Sequence, residues 1–480
     1  MTRPGEVRVE GLTWRPLGRR AAVVQDLDLH LEPGERVLLA GPSGAGKSTL
    51  LHALVGALGG TLAGDLTGSV RVEGRVGLVP QQPGDAVVAE RIGRDVAFGP
   101  ENIGLDRDAT WRRVDAALAA VGLTQGRDHP TAALSGGELQ RLALAGVLAL
   151  EPDVVLLDEP TSMLDPLHAR AVREAVARTV GAGRSTLVVV EHHLEPWLDL
   201  VDRVVVLGPD GAVVADTTPE RFVREHRDRL GDLGVWMPGL PSPEPLGVDA
   251  ELLRPRRALL ALSAVDLTVR LRTRTLRGAT TTTALAGVGA TVEPGRLTAL
   301  TGPSGAGKST LLAALGGLVP VDDGSVDGVD PPFGRRRSGE LAPHVGWSPQ
   351  VPEHGFLAAT VAEEVALTAA RLGAVADVEA WLDVVGLTPL AGAHPYRLSG
   401  GEQRRLSVLT AVAHRPGLLL LDEPTVGQDR RTWAAVAGIA VAAAAAGVVA
   451  VTATHDSLLV GQADDVVTLA AGQVERSRDA

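Results

Sequence analysis

One decapeptide occurs twice in this chain of 480 residues. The sequence Gly-Pro-Ser-Gly-Ala-Gly-Lys-Ser-Thr-Leu stands at 41–50 and again at 302–311. Two pentapeptides also recur downstream of both copies, Leu-Ser-Gly-Gly-Glu from Leu134 and Leu398 and Leu-Asp-Glu-Pro-Thr from Leu157 and Leu421. Solenoid repeats have periods of about 20–50 residues, whereas this repeat is several times longer. The chain is therefore predicted to contain two copies of one domain.

Prolines mark the boundary between the two copies. Five of them fall between residues 238 and 255, where they interrupt any periodic pattern of apolar residues. We predict domain 1 at 1–235, a Pro-rich linker at 236–257 and domain 2 at 258–480.

Charge and residue usage narrow the classes of protein that fit. The formal net charge is −12, which argues against a nucleic-acid partner, because binding phosphates requires a basic surface. The absence of cysteine excludes disulfides, thiolate metal sites and cysteine nucleophiles. Of the 46 basic residues only Lys47 and Lys308 are lysines, and both lie in the repeated decapeptide. A compact ammonium group is evidently needed at these two positions, where arginine was not used.

Each decapeptide follows a short apolar run and precedes a helical pattern, which is the setting of a phosphate-binding loop. Glycines allow consecutive backbone N–H groups to surround phosphate oxygens at a helix N-terminus. The lysines are expected to contact the β- and γ-phosphates, and Ser48 and Ser309 to offer hydroxyls to Mg²⁺. The predicted nucleotide-binding residues are Gly41, Pro42, Ser43, Gly44, Ala45, Gly46, Lys47, Ser48 and Thr49, with Gly302, Pro303, Ser304, Gly305, Ala306, Gly307, Lys308, Ser309 and Thr310.

An Asp-Glu pair ends a continuous apolar run in each copy. The runs read as strands that are buried on both faces of a parallel sheet, so the chain is predicted to be α/β. Asp158 and Asp422 would help hold Mg²⁺, and Glu159 and Glu423 would act as general bases on an attacking water. An isolated Asp-Glu pair is more often a turn or a helix cap, but its repetition downstream of both loops favours catalysis.

The order of these motifs resembles a pair of ABC-type nucleotide-binding domains, with the Leu-Ser-Gly-Gly signature as the most specific feature. This resemblance covers nearly the whole chain and implies two tandem P-loop NTPase (RecA-like) domains, each with an inserted helical subdomain and an antiparallel β subdomain. It implies Q-loop glutamines at Gln81 and Gln350, which would also sense Mg²⁺. The switch histidines would be His192 and His455, and the D-loop aspartates Asp165 and Asp429.

In such proteins the two domains pair head to tail, and each ATP lies between one P-loop and the opposing signature. The signature residues here are Ser135, Gly136 and Gly137 in the first copy and Ser399, Gly400 and Gly401 in the second. Because both copies keep their glutamate and histidine, both sites are predicted to hydrolyse ATP. Adenine stacking by an aromatic residue is expected only in the first copy, where Trp14 is the nearest candidate; the second copy offers Val269 or Leu271.

Three kinds of twin ABC protein are candidates for this chain. The segment after Gln81, including Asn102, resembles the ATPase of energy-coupling-factor (ECF) importers, and the D-loop ending at Asp429 favours thiamine-precursor uptake within that branch. The alternatives are a fused sugar-importer ATPase, whose second P-loop and signature are typically degenerate, and a soluble ribosome-associated ATPase, which has a long basic linker. The ECF resemblance implies a T-type scaffold and a substrate-binding S-type subunit as membrane partners. It also implies a peripheral position on the cytoplasmic face of the cell membrane.

Residues Ala434 to Val451 carry no charge over 18 positions, a length that can span a membrane. The matching stretch of the first copy is a polar-faced helix followed by Gly183 and a strand. We therefore predict a helix over 434–446, a stop at Gly447 and a strand over 448–451. The N-terminus also lacks the apolar stretch of a secretory signal.

Overall fold

The computed structural model describes residues 4–19, 21–162, 164–180, 185–275 and 278–479. The chain divides into two units, one from Met1 to Pro241 and the other from Ser242 to Ala480. The division falls within the segment predicted as the Pro-rich linker, and each unit has hydrophobic cores of its own.

The first unit is built from short strands and helices that alternate along most of its length. Its described strands are β1 (Val7–Pro16), β2 (Val24–Leu31), β3 (Arg36–Ala40), β4 (Gly64–Val72), β5 (Val76–Val79), β6 (Val154–Asp158), β7 (Thr186–Val190), β8 (Arg203–Leu207) and β9 (Val213–Thr217). Its described helices are α1 (Lys47–Leu54), α2 (Ile92–Asn102), α3 (Arg107–Ala120), α4 (Gly136–Leu148), α5 (Pro166–Val180) and α6 (Pro219–Asp232).

A six-stranded sheet forms the centre of the first unit, in the order β5-β6-β7-β3-β8-β9. All neighbours are parallel except β9, which runs antiparallel to β8. A separate antiparallel sheet has the order β2-β1-β4. Helices α2 and α3 are inserted between β5 and α4. The predicted α/β class, with a helical insertion and an antiparallel β subdomain, is thus confirmed.

The second unit repeats this plan. Its described strands are β10 (Leu262–Thr275), β11 (Gly278–Val292), β12 (Leu297–Thr301), β13 (Asp323–Asp327), β14 (Val345–Ser348), β15 (Leu418–Asp422), β16 (Val449–Ala453), β17 (Asp465–Ala470) and β18 (Gln473–Asp479). Its described helices are α7 (Ala250–Leu253), α8 (Lys308–Leu315), α9 (Ser338–Leu341), α10 (Val361–Arg371), α11 (Val378–Val384), α12 (Gly400–Val412), α13 (Arg430–Ala445) and α14 (Ser457–Val460). The sheet orders, β14-β15-β16-β12-β17-β18 and β11-β10-β13, match those of the first unit.

The apolar runs that precede each Asp-Glu pair are fully buried strands. Every residue of β6 and of β15 is buried, including the aspartate that ends each strand. Both strands pair in parallel on each side, so helices cover both faces and no polar alternation is required. The carboxyl end of each strand is thereby held at a fixed place in a rigid sheet.

The inserted helix α3 has two features that favour a helix at this place, a capping residue at its start and an apolar face along its length. Asp106 precedes α3, and its side chain accepts a hydrogen bond from the N–H of Ala109 at 2.8 Å. Val114, Ala117 and Leu118 are buried at the spacing of one helical face. Helix α3 therefore has a single apolar face.

The uncharged stretch at 434–451 is part of the folded core. Helix α13 continues to Ala445, Gly447 has φ = 88°, and β16 begins at Val449. The prediction of helix, stop and strand is confirmed, and the helix buries Ala435 and Ile439 against neighbouring elements. In the part of the chain that the structure describes, no helix is long and apolar enough to cross a membrane.

Candidate functional site

A glycine-rich loop connects a central strand to a helix in each unit, from β3 to α1 and from β12 to α8. Gly46 precedes α1 with φ = 88°, and a Cβ atom there would lie 2.7 Å from Val24 Cγ2. Gly307 precedes α8 with φ = 101°, and a Cβ atom would lie 2.6 Å from the carbonyl oxygen of Ala284. Only glycine fits these positions. The loops therefore end at helix N-termini, whose free N–H groups attract anions.

The two lysines are held in the same way. Nζ of Lys47 donates to the carbonyl oxygens of Gly41 and Pro42, both at 2.9 Å. Nζ of Lys308 donates to those of Gly302 at 2.8 Å and Pro303 at 3.1 Å. Both lysines are buried beside a helix N-terminus, so each loop presents concentrated positive charge. This arrangement fits the phosphate chain of a nucleotide.

The serine after each lysine contacts the aspartate that ends β6 or β15, the strand two positions from β3 or β12 in the central sheet. The hydroxyl of Ser48 donates to Oδ1 of Asp158 at 3.1 Å, and that of Ser309 donates to Oδ1 of Asp422 at 3.0 Å. Among the described residues no three His, Asp or Glu side chains are grouped so that they could hold a metal. A hydroxyl and a carboxylate fit Mg²⁺, which keeps several water ligands and binds phosphate oxygens as well.

Burial makes ionisation of these two aspartates less favourable. The pKa of Asp158 is raised to about 7, first by burial and then by the charge of Glu159. Burial likewise raises the pKa of Asp422. A cation beside either carboxylate would offset the cost of ionising it, which supports a metal at this position.

The two glutamates have an unusual backbone conformation. Glu159 has φ = 46° and Glu423 has φ = 49°, in the left-handed region that non-glycine residues seldom adopt. Their N–H groups donate to the carbonyl oxygens of Val190 at 2.9 Å and Ala453 at 2.8 Å, which extends the sheet pairing by one residue. Such strain costs of the order of 1–3 kcal/mol and is typical of functional sites.

In the first unit Glu159 lies between a glutamine and a histidine. Nε2 of Gln81 donates to Glu159 Oε2 at 2.8 Å, and Nε2 of His192 lies 3.1 Å from Glu159 Oε1. Burial acts to raise the pKa of Glu159, but the histidine and Lys47 outweigh it, and the pKa is lowered. Glu159 is thus held as a carboxylate, the form that a general base requires.

The second unit arranges the same residue types differently. Glu423 Oε2 accepts hydrogen bonds at 3.3 Å from the hydroxyl of Thr454 and the N–H of His455. Nε2 of His455 lies 3.5 Å from Glu423 Oε1 but only 3.1 Å from Nζ of Lys308. The pKa of Glu423 is raised to about 7, first by burial and then by the charge of Asp422. Gln350, the predicted Q-loop residue, is exposed.

Arg404 is a residue of this second site that the sequence analysis missed. Its guanidinium is buried and donates to the carbonyl oxygens of Pro349 at 3.2 Å and of Asp422 at 3.4 Å. Burial lowers its pKa to about 10. The matching residue of the first unit is Gln140, also buried, so a comparison of the two signature segments could have identified the difference.

The signature serines cap the helices that follow them. The hydroxyl of Ser135 accepts from the N–H of Glu138, and that of Ser399 from the N–H of Glu402, each at 3.4 Å; both form capping boxes. Among the signature glycines, Gly136 and Gly400 are exposed, Gly401 is half-buried and Gly137 is buried beside the ring of His168. The helix N-termini therefore lie where an anion could reach them.

The D-loop aspartates have the same local role. Asp165 accepts from the N–H of His168 at 3.0 Å, and Asp429 from the N–H of Thr432 at 2.8 Å. Both side chains are buried and cap the start of α5 and α13. Their contribution to nucleotide binding stays a prediction.

Trp14 does not lie at the surface. Its side chain is 3% exposed within the core that joins β1 to the central sheet, and a Cβ atom on Gly64 would lie 2.7 Å from its ring. The second-copy candidates differ, because Val269 is buried and Leu271 is exposed. The indole of Trp14 thus packs in the core and is not exposed for stacking on a base.

The structure brings most of the residues predicted for catalysis, phosphate binding and Mg²⁺ binding together within each unit. In the first unit these are Lys47, Ser48, Gln81, Asp158, Glu159 and His192; in the second they are Lys308, Ser309, Asp422, Glu423 and His455. Gln350 is the residue that departs from this pattern. The roles of all these residues remain predictions.

Comparison with known proteins agrees with the two-site geometry. A family model described as ABC transporter matches residues 24–162 and 285–426, which together make up more than half of the chain. The chain belongs to the ABC transporter family. Its ABC-type ATPase character, with two fused nucleotide-binding domains that bind and hydrolyse ATP, is confirmed.

Several relatives match this ABC protein over nearly its whole length. The "Putative HMP/thiamine import ATP-binding protein YkoD" of Bacillus subtilis is 33% identical and covers 93% of this chain and 86% of that protein. The "Putative ABC transporter ATP-binding protein SCO2324" of Streptomyces coelicolor is 35% identical, with coverage of 98% and 93%. Among solved structures, CbiO1 of Clostridium perfringens, part of the ABC transporter complex CbiONQ, matches 47% of this chain with 27% identity and a TM-score of 0.40.

Proposed function

We propose that this chain is the ATP-hydrolysing subunit of an ECF-type importer. The two ABC domains close head to tail around two ATP molecules with Mg²⁺, and hydrolysis drives uptake of a vitamin, a vitamin precursor or a transition-metal ion. A T-type scaffold and an S-type substrate-binding subunit form the membrane path. The chain itself is peripheral, on the cytoplasmic face of the cell membrane.

Each residue of the site has a part in hydrolysis under this proposal. Lys47 and Lys308 bind the phosphate chain, since each presents a buried ammonium beside a helix N-terminus. Ser48 and Asp158, and their counterparts Ser309 and Asp422, would hold Mg²⁺. When bound, Mg²⁺ neutralises charge that develops on the β- and γ-phosphate oxygens.

The catalytic glutamates orient and deprotonate water. Glu159 is ionised and held by Gln81 and His192, and Glu423 is held by Thr454 and the backbone of His455. General bases of this kind contribute about 10²–10⁴-fold to a rate. The switch histidines place the glutamates, and the signature helices supply N–H donors to the γ-phosphate once the domains close.

The observation that carries the importer assignment is a rigid loop with an exposed apolar tip after each Q-loop. In the first unit the N–H groups of Val88 and Ala89 donate to Oδ1 of Asp95 at 2.8 and 2.9 Å. In the second unit those of Leu357 and Ala358 donate to Oε2 of Glu364 at 2.8 and 2.6 Å. Val88 is 56% exposed and Leu357 77% exposed. An apolar side chain is therefore exposed at the same place after the Q-loop in both units, and we assign this place to docking of the membrane subunits.

The solute class rests on the relatives. YkoD is named for HMP/thiamine import and aligns with both domains of this chain. That likeness supports a thiamine-type compound as the first solute to examine, although selection would belong to the S-type subunit.

The test is affinity purification of the tagged chain from gently solubilised membranes, with identification of the co-eluting proteins. A small integral-membrane scaffold and a compact substrate-binding membrane protein are expected to co-elute. The V88D/L357D variant should lose both, whereas L17D, which alters an exposed leucine after β1, should retain them. Recovery of a large sugar permease or of ribosomal proteins would instead overturn the ECF assignment.

A further inference from the structure

A buried carboxyl group outside the predicted site lies beside the switch histidine of the first unit. Glu191 follows β7 directly and is 1% exposed. Its Oε1 accepts hydrogen bonds from the N–H of Thr161 at 2.9 Å and from the hydroxyl of Thr161. Its Oε2 accepts from the N–H of His192 at 3.2 Å. Glu191 therefore connects two chain segments that are about 30 residues apart in sequence.

These contacts complete a closed series of interactions that includes the catalytic glutamate. Thr161 lies two residues after Glu159, and the His192 side chain contacts Glu159 Oε1 at 3.1 Å. The backbone of Glu159 is strained and its N–H donates to Val190, the residue before Glu191. A displacement of Glu191 would thus move both the segment that carries Glu159 and the segment that carries His192.

The second unit lacks this arrangement. Thr454 occupies the position of Glu191, and the hydroxyl of Thr425, the counterpart of Thr161, donates instead to Oδ2 of Asp456 at 2.8 Å. Asp456 also accepts from Nε1 of Trp433 at 2.5 Å. The acidic residue next to the switch histidine thus follows it in the second unit, as Asp456, rather than preceding it. Nε2 of His455 also lies farther from Glu423 Oε1, at 3.5 Å.

We propose that Glu191 is a positioning residue that holds His192 against Glu159 in the first ATP site. The proposal rests on the proposed function, in which both residues take part in hydrolysis. Under this proposal a buried carboxyl group positions the switch histidine of the first site, whereas the second site has Thr454 at that place.

The electrostatic surroundings agree with a protonated Glu191. Burial, followed by the charge of Glu159, raises the pKa of Glu191 to about 8 despite the hydrogen bonds from Thr161 and His192. The other titratable groups that interact with this cluster are His192, Lys47 and Asp158, all of which interact with Glu159. A neutral Glu191 keeps its hydrogen bonds without placing another buried negative charge beside Glu159.

Three full-length variants test the proposal with Mg-ATP turnover measured from pH 6 to pH 9.5. Thr replaces Glu191 in E191T, which copies the second unit and is too short to reach Thr161. Gln replaces it in E191Q, which keeps the size and stays neutral. The matched control is E225Q, a substitution of an exposed glutamate on α6.

We expect E191T to lower kcat at least about twofold with little change in KM, because displaced catalytic groups cost rate rather than binding. E191Q can still accept from Thr161 through its amide oxygen but loses the acceptor for the N–H of His192, so it should retain more turnover at pH 7 than E191T. Wild-type turnover should fall as pH rises past about 8, where Glu191 ionises, and E191Q should lose this alkaline fall. A merely structural role would not change the pH profile.

Thermal unfolding provides the second measurement. Because the folded-state pKa is raised, the stability contributed by the bound proton is complete below pH 4.5 and is lost as pH rises through about 8. E191Q should therefore unfold at a higher temperature than wild type at pH 9 but not at pH 5. The proposal is overturned if E191T keeps wild-type kcat, or if E191Q shows the wild-type pH dependence in both measurements. If wild type lacks Mg-ATP turnover altogether, the proposed function fails instead, and the unfolding series still tests whether Glu191 holds its proton.

Discussion

Nζ of Lys308 lies 3.1 Å from Nε2 of His455, so the ammonium donates to the imidazole in the second unit. A lysine ammonium has no acceptor, and Nε2 of His455 must therefore carry its lone pair toward Lys308. In the first unit Nε2 of His192 faces Glu159 at 3.1 Å and donates to it. The same residue types thus adopt two hydrogen-bonding states, and the two ATP sites are chemically distinct before any nucleotide binds.

Both sites are nevertheless expected to hydrolyse ATP. Each of the variants E159Q and E423Q removes one general base and should lower steady-state turnover at least about twofold, and the double variant by about 10² or more. Release of inorganic phosphate from Mg-ATP measures this directly. Either single variant with full wild-type turnover would show that its site is silent.

Arginine should not replace the two lysines. Each ammonium lies between two loop carbonyl oxygens at 2.8–3.1 Å, a space that suits a compact group rather than a planar guanidinium. K47R and K308R should each weaken binding of a fluorescent ATP analogue about tenfold or more at the altered site, an effect of about 1.4 kcal/mol. The control is R112K on the exposed face of α3, and equal affinity in K47R and R112K would contradict the assignment.

Loss of the Mg²⁺-binding hydroxyl should change the metal requirement. Ser48 and Ser309 donate to Asp158 and Asp422 respectively, so S48A and S309A remove one proposed ligand and leave the carboxylate. The Mg²⁺ concentration for half-maximal turnover should rise several-fold in each variant. Binding of ATP in the presence of EDTA should stay near the wild-type value, and a drop there would indicate general damage to the loop.

Acid should destabilise the second unit in part through His414. This imidazole is buried, its Nε2 lies 3.3 Å from the carbonyl oxygen of Val345, and burial lowers its pKa below the ordinary 6.5. Below pH 6.5 the unfolded chain binds a proton that the folded chain does not, so stability falls as pH falls. Thermal unfolding of H414Q should show a shallower loss between pH 6.5 and pH 5 than wild type. Identical slopes would mean that His414 is not protonated on unfolding.

The inserted helices and the central strands were predictable because their signals are local. Residues 154–157 are predicted to form a buried strand because they are an unbroken apolar run, and the structure buries all of them in β6. Comparison of the two copies predicts a helix and a strand, rather than a membrane span, for the uncharged segment at 434–451. Helix α13 and strand β16 occupy the predicted places. Trp14 shows the limit of prediction from local sequence. Its aromatic ring suggests stacking on a base, but the side chain is buried in the hydrophobic core.

The sequence alone determined that there are two ABC domains and where their glycine-rich loops lie, and it predicted which residues carry the chemistry. Those features depend on motifs in which neighbouring residues fold together. Tertiary structure decided what the sequence differences between the two sites do: Glu191 bonds to Thr161 in one unit, and Arg404 reaches the carbonyl oxygen of Asp422 in the other. These contacts join residues that are distant in sequence, and their energetic effect depends on burial, since a charge inside the protein is screened far less than one in water.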